Sequence, residues 1–140
     1  MSVVDTNVLI HATVTTSPDH HRAVTALVHL ATRGPVAVTR QILREFLSAT
    51  TRPQAWARAA TLAEATRAAD GFIQRFAVLE DGPSVWDELM MLTRRFAFGG
   101  KQVHDANIVA TMLAHGEARL LTFNHADFRR FGSLLEVVVP

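Results

Sequence analysis

Apolar residues in this chain fall into short Val- and Leu-rich runs separated by longer stretches in which they recur every three or four positions. The runs Ser2 to Asp5, Val36 to Thr39, Phe76 to Leu79, Arg119 to Thr122 and Leu135 to Val139 predict strands. They are short and nearly continuous rather than alternating, the pattern of a parallel sheet covered on both faces. Helix punctuation separates them. Ser17-Pro18 opens a helix whose apolar positions Val24, Leu27, Val28 and Ala31 predict the buried stripe, and Gly34-Pro35 closes it. A second helix opens at Gly82-Pro83-Ser84, carries Val85, Trp86, Leu89, Met90, Leu92 and Phe96, and ends at Phe98-Gly99-Gly100. Its Trp and Met residues are expected in the core. Another follows Thr39, an Ala-rich one spans about Thr61 to Gln74 with Pro53 limiting what precedes it, and a last one follows Val103.

Strands alternating with helices predict an α/β fold with right-handed crossovers, in which ligands bind beyond the carboxyl ends of the strands. A length of 140 residues, without repeat, low-complexity tract or Gly/Ser linker, points to a single domain over 1–140. The longest strictly apolar stretches are a few residues, against the ~20 needed to span a bilayer, so no membrane association is expected. The amino terminus shows no basic stretch, long apolar segment or small-residue cleavage site, which predicts a cytoplasmic protein. The chain has no cysteine, which excludes disulfides, thiolate metal sites and cysteine nucleophiles, and leaves oxygen or imidazole for any bound metal. A net charge of +1 makes whole-molecule attraction to nucleic acid weak. Thirteen of its 14 cations are Arg, the better phosphate fork, although a GC-rich genome enriches Arg for no functional reason.

The chemistry-bearing residues are acids. Asp5 ends the first strand, Glu45 lies about two turns into the helix after the second, and Asn124 and Asp127 follow the fourth, so three segments converge on one edge of the sheet. Asp105 heads the last long helix, and Ile108, Val109 and Met112 at i+3, i+4 and i+7 form its buried stripe. Glu45 flanks the stripe of Ile42, Leu43, Phe46 and Leu47. Each acid has a plainer role available. Asp5 can brace the turn at Thr6 and Asn7, Asp105 can complement the helix dipole, Glu45 can pair with Arg44 or Arg52, and Asp127 can cap a short helix. Capping alone does not require four acids on one edge. Carboxylates gathered in a poorly solvated cleft repel one another, and Mg²⁺ or Mn²⁺ is the cation that relieves this with oxygen ligands.

Four segments in order, Val-Val-Asp5-Thr6-Asn7-Val-Leu, Leu43-Arg44-Glu45-Phe46-Leu47, His104-Asp105-Ala106 and Leu-Leu-Thr122-Phe123-Asn124-His125-Ala126-Asp127-Phe128, resemble the motifs of PIN-domain ribonucleases across essentially the whole chain. Within that family the chain is most similar to the VapC toxins of bacterial toxin–antitoxin pairs. The resemblance implies a three-layer α/β/α fold with a five-stranded parallel sheet and a metal-dependent endoribonuclease acting on transfer or ribosomal RNA. It also implies an antitoxin partner and a homodimer. It implies Asp5, Glu45 and Asp105 as the catalytic acids and metal ligands, with Thr6 or Thr122 as the supporting hydroxyl. At the fourth acidic position this chain departs from the pattern. Asn124 stands where many members carry an acid, and either Asn124 or Asp127, three residues on, completes the site.

Adjacent His20 and His21 point roughly 100° apart on a helix and do not share an ion. His104, the lone lysine Lys101, and Arg129 and Arg130 are candidate RNA-phosphate contacts, each also explicable as a solvated surface residue. Trp56 and Phe72 fit either a core or an interface. Two other functions share part of this pattern. A haloacid-dehalogenase-type phosphatase also begins with an Asp ending its first strand, but needs a second Asp where this chain has Asn7. A non-catalytic RNA- or partner-binding module with a degenerate site would account for Asn124.

Overall fold

A computed structural model describes all 140 residues. Five short strands, β1 (Ser2–Val4), β2 (Val36–Thr39), β3 (Ala77–Leu79), β4 (Arg119–Leu121) and β5 (Glu136–Val138), form one all-parallel sheet in the order β3-β2-β1-β4-β5. This is the predicted α/β architecture. The chain winds outward from β1 to β3, then crosses back over the sheet to place β4 on the other side of β1. The direction of winding therefore reverses between β1 and β4. Brought in parallel register, Val4 opposite Leu121, these two strands point their carboxyl ends at the same crevice.

Helices α1 (Thr6–Thr13), α2 (His20–Arg33), α3 (Arg40–Thr50) and α4 (Leu62–Arg75) carry the outward crossovers, with α1 packed on α2 and α3, and α3 on α4. The return is made by α5 (Pro83–Arg95) and α6 (Gln102–Ala114), which pack against each other. Right-handed crossovers put these two sets on opposite faces, giving three layers. A short helix α7 (His125–Phe128) runs into a 3₁₀ segment, Arg129–Leu134, before β5. The turn into β5 is made at Gly132, whose φ of +52° is comfortable only without a Cβ.

The core is one contiguous cluster in which Val3, Val4, Val38, Leu120 and Leu121 from the central strands meet Leu9, Ile42, Phe46, Ile108, Met112, Phe128 and Phe131 from the helices, all essentially inaccessible. No helix is long and apolar enough to cross a membrane.

Several sequence expectations are corrected. The first helix was not foreseen. Asp5 ends the strand as an N-cap, its Oδ1 accepting the Thr6 N–H, and the apolar run beyond it is helical. Ser17-Pro18 forms the turn before α2, which begins at His20 after Asp19, with the Ser17 hydroxyl accepting the Asp19 N–H at 3.1 Å and lying 2.6 Å from His11 Nδ1. The α2 stripe is rotated from the one expected, keeping only Leu27 against the core. Ala23 and Leu30 are buried, whereas Val24, Val28 and Ala31 are exposed. Trp86 is not in the core but 61% exposed on α5, while its neighbours Val85, Leu89 and Leu92 face inward as the helical period requires. Trp56 and Phe72 are both half-buried.

Candidate active site

The crevice at the reversal of the sheet is built around Asp5. Its position at the end of β1 is fixed by a backbone hydrogen bond from its N–H to the Leu121 carbonyl at 3.0 Å, and its side chain is 5% exposed. Oδ1 accepts from the Thr6 N–H at 2.7 Å. Oδ2 accepts from the Thr122 hydroxyl at 2.7 Å and the Asn7 amide at 2.8 Å. A carboxylate taken this far from water survives only because three donors replace its hydration. Burial still raises its pKa, with the Glu45 charge adding, against hydrogen bonds from Thr122, Thr6 and Asn7.

Asn7 is the second organiser of this corner. Its Nδ2 donates to both Asp5 Oδ2 and Thr122 Oγ1, and its Oδ1 accepts the Phe123 N–H at 3.0 Å. The Thr122 hydroxyl in turn accepts the Asn124 N–H at 2.9 Å. The end of β4 is thereby sewn to the start of α1.

Glu45 enters from α3. Thr39, at the end of β2, caps this helix by accepting the Ile42 N–H, which turns the first two helical turns across the carboxyl edge of the sheet. Ile42, Leu43 and Phe46 are buried and Glu45 is half-buried beside them. It forms no ion pair with Arg44 or Arg52. Instead its Oε2 accepts from the Thr6 hydroxyl at 3.0 Å and its Oε1 from the Gln41 amide at 2.7 Å. Both supporting threonines are thus engaged, one on each of two acids.

Asp105, in the first turns of α6, is half-buried and heads the buried stripe of Ile108, Val109 and Met112 as expected. Its pKa is pushed up to about 6, first by desolvation and then by the charges of Asp127, Asp5 and Glu45, with Arg130 opposing. The other three acids therefore all act on Asp105. Asp127 makes no side-chain capping bond, so the expected cap is corrected, and its charge raises Asp105 more than those of Asp5 and Glu45. Asn124 is the residue before α7, exposed, and likewise makes no side-chain cap. The carboxylates stand around the crevice rather than clasped, since no three acidic or histidine side chains lie at joint ligand distance.

Around the acids, Lys101, His104 and Arg129 are exposed. Arg130 is half-buried, its Nε 3.3 Å from the Asp127 carbonyl and its Nη1 3.4 Å from that of Ala97, within electrostatic reach of Asp105. His20 and His21 lie elsewhere, on α2, with His20 Nδ1 facing the His11 carbonyl at 2.9 Å. A cleft of about 460 Å³ opens between α3 and α6, lined by Arg44, Glu45, His104 and Asn107 among others.

The PIN domain family profile fits residues 2–134 of the chain. The chain belongs to the PIN-domain family. Within it the protein is VapC-like, 31% identical over 134 residues to ribonuclease VapC24 of Mycobacterium tuberculosis (strain CDC 1551 / Oshkosh), a match spanning 94% of this chain and 92% of that one. Solved structures share the PIN fold. Rickettsia felis VapBC2, bound to a DNA fragment from its promoter, superposes with a TM-score of 0.68 at 16% identity over 99% of this chain and 97% of that one. Mycobacterium tuberculosis VapC20, a sarcin-ricin loop cleaving toxin, does so with a TM-score of 0.64 at 16% identity over 86% and 87%.

Three polar residues of this PIN-domain crevice were not singled out from the sequence: Gln41, Asn107 and the amide role of Asn7. For Asn7 the signal was its place two residues beyond a strand-ending Asp. Gln41 precedes Glu45 by four residues, hence on the same helix face.

Proposed function

We propose that the protein is a Mg²⁺- or Mn²⁺-dependent endoribonuclease and the toxin of a toxin–antitoxin pair. The observation that carries this reading is the convergence of Asp5, Glu45, Asp105 and Asp127 on the sheet reversal, where their charges together with burial push Asp105 up to about 6. Kinship to ribonuclease VapC24 supports the RNA substrate.

The donor set fits a hard divalent ion: oxygen atoms only, no cysteine, and a like-charge field that a cation neutralises. Mg²⁺ keeps several waters and needs only one or two carboxylates directly, so it does not require three of these acids at joint ligand distance. Asp5 and Asp105 are the principal ligands, Glu45 a ligand or water-orienting base, and Asp127 the fourth acid. Asp127 is preferred to Asn124 because its charge acts on Asp105, whereas Asn124 brings none. When bound, the ion lowers the pKa of a water and stabilises charge developing on the phosphate.

The chain's own residues do the rest. Thr6, Asn7 and Thr122 hold Asp5 in one orientation. Glu45 takes the proton as the attacking water adds to phosphorus, and the bridging P–O bond opens as its leaving oxygen takes a proton from solvent water. Arg130, Arg129 and Lys101 provide the cationic rim that grips RNA phosphates on either side, with His104 as a further polar contact. The substrate is of the transfer or ribosomal RNA class, the latter supported by the relative VapC20, a sarcin-ricin loop cleaving toxin. The protein acts in the cytoplasm. Its partners are a cognate antitoxin, as in the VapBC2 neighbour, and a second copy of itself, with exposed Trp86 and Val28 supplying apolar surface for such contacts.

The test is cleavage of total RNA by purified protein and by Asp5→Asn with Mg²⁺, Mn²⁺ or EDTA. Cleavage is expected only from wild type with metal. Equal cleavage by Asp5→Asn sinks the assignment, and RNA binding without cleavage by either supports the binding-module reading.

A further inference from the structure

We infer that Gln41 is a positioning residue that ties Glu45 to the segment bearing Asp105 and so sets the spacing at which these two carboxylates meet a cation. The inference rests on the metal-dependent reading above. Gln41 lies in the first turn of α3 and is 8% exposed. Its amide nitrogen donates twice, to Glu45 Oε1 at 2.7 Å and to the His104 carbonyl at 2.8 Å. Its amide oxygen accepts from Asn107 Nδ2 at 2.8 Å. The gripped carbonyl belongs to the peptide joining His104 to Asp105, and Asn107 lies two residues beyond. Gln41 therefore holds α6 on both sides of Asp105 while holding Glu45 with the same amide.

The orientation of this bridge is not free. A carboxylate and a backbone carbonyl only accept, so the NH₂ of Gln41 must face them and its oxygen must face Asn107. That oxygen in turn requires the NH₂ of Asn107. Both N–H groups of Gln41 are used, and the hydrogen-bonding capacity of its amide goes to structure rather than to substrate. Three bonds of 2.7–2.8 Å, two of them joining elements more than 60 residues apart in sequence and one within α3, are a costly arrangement to bury. It makes physical sense when the relative placement of the two acids matters. Groups that orient ligands in this way typically change metal affinity by about 10–100-fold when removed.

The experiment is titration of Mn²⁺ into purified protein, followed by the electron paramagnetic resonance signal of the free ion, for wild type, Gln41→Met, Asn107→Ala, Glu45→Ala and Gln41→Met/Glu45→Ala. Gln41→Met keeps the side-chain length and removes all three bonds. It is expected to weaken Mn²⁺ binding about 10–100-fold and to lower kcat on RNA with little change in KM. Asn107→Ala is expected to lose less, since Gln41 keeps its bonds to Glu45 and His104. In the Glu45→Ala background Gln41→Met should cost little further affinity, because Gln41 acts through Glu45. Undiminished loss in that background overturns the inference, as does a Gln41→Met protein that binds Mn²⁺ like wild type. If Gln41→Met fails to fold, Asn107→Ala decides, and wild-type affinity in that variant overturns it. A wild-type protein that binds no Mn²⁺ instead overturns the metal reading itself, and this inference with it.

Discussion

The Thr122 hydroxyl donates to Asp5 Oδ2 at 2.7 Å, joining the end of β4 to the end of β1 beneath the acid cluster. Thr122 is fully buried, so its hydroxyl has no water to fall back on, and it also accepts from Asn7 and the Asn124 N–H. Replacing it by Val keeps the shape and strands these partners. Thr122→Val is expected to lose about 1–3 kcal/mol of stability and to raise the Asp5 pKa further, while Thr122→Ser retains most of both. Chemical denaturation of the three proteins in EDTA checks the first, and carboxyl titration by NMR the second.

Asp105 is ionised at neutral pH against three other acids. Its folded pKa of about 6 lies above its ordinary 3.8, so the folded state binds the proton more tightly than the unfolded one. The stability this group contributes is therefore present at low pH and lost as pH rises through about 6. Asp105→Asn removes the charge but not the shape. In EDTA at pH 8 it is expected to melt above wild type, with the gap closing below pH 4, while cleavage is abolished. Thermal unfolding across pH reads the sign directly.

Protons and cation compete for the same carboxylate. Mn²⁺ affinity is expected to hold steady above pH about 6 and to fall below it, because Asp105 must give up its proton to bind. Titrations at pH 5, 6, 7 and 8 test this, and affinity independent of pH across that range contradicts it.

Arg130 is the cation that lowers the Asp105 pKa. Arg130→Ala is expected to raise that pKa further and to move the acid limb of the activity profile upward. If it also contacts phosphate, RNA binding in EDTA weakens and the slope of log affinity against log salt falls by about 1. Fluorescence anisotropy with labelled RNA over a salt series measures it.

Asp127 and Asn124 make opposite predictions for the fourth position. Asp127→Asn is expected to bring the Asp105 pKa back toward its ordinary value and to weaken Mn²⁺ binding, whereas Asn124→Ala leaves both nearly unchanged. NMR titration of Asp105 in the two variants separates them.

The sheet and the shared edge of the four acids were legible because their signals are local: short Val-rich runs, Pro and Gly breaks, and carboxylates at or near element ends, Glu45 alone lying inside its helix. Helix α1 was not. The helix follows a strand through a single capping residue, and its eight residues, half of them apolar with Val8, Leu9 and Ile10 consecutive, show no clear period. For α2 the period was right and the stripe rotated, since Val24 and Val28 are as apolar as Leu30 and only the packing of α1 selects the side that is buried. Trp86 misleads through its type, because a large aromatic reads as core although its helical position faces out. The Gln41 amide was invisible for a different reason. Its partners His104 and Asn107 lie 63 and 66 residues away, and nothing local marks a glutamine as saturated.

Asp5 and Thr122 are 117 residues apart, and the strands that carry them become neighbours only after the chain has crossed back over the sheet. During synthesis the first acid is made almost at once, but it lacks its buried hydroxyl donor until β4 has emerged and docked. A growing or truncated chain thus carries three of its acids without the corner that orients them. The corner forms only when the crossover into β4 is complete, so a copy of this protein that stops short of it lacks the donor that orients Asp5.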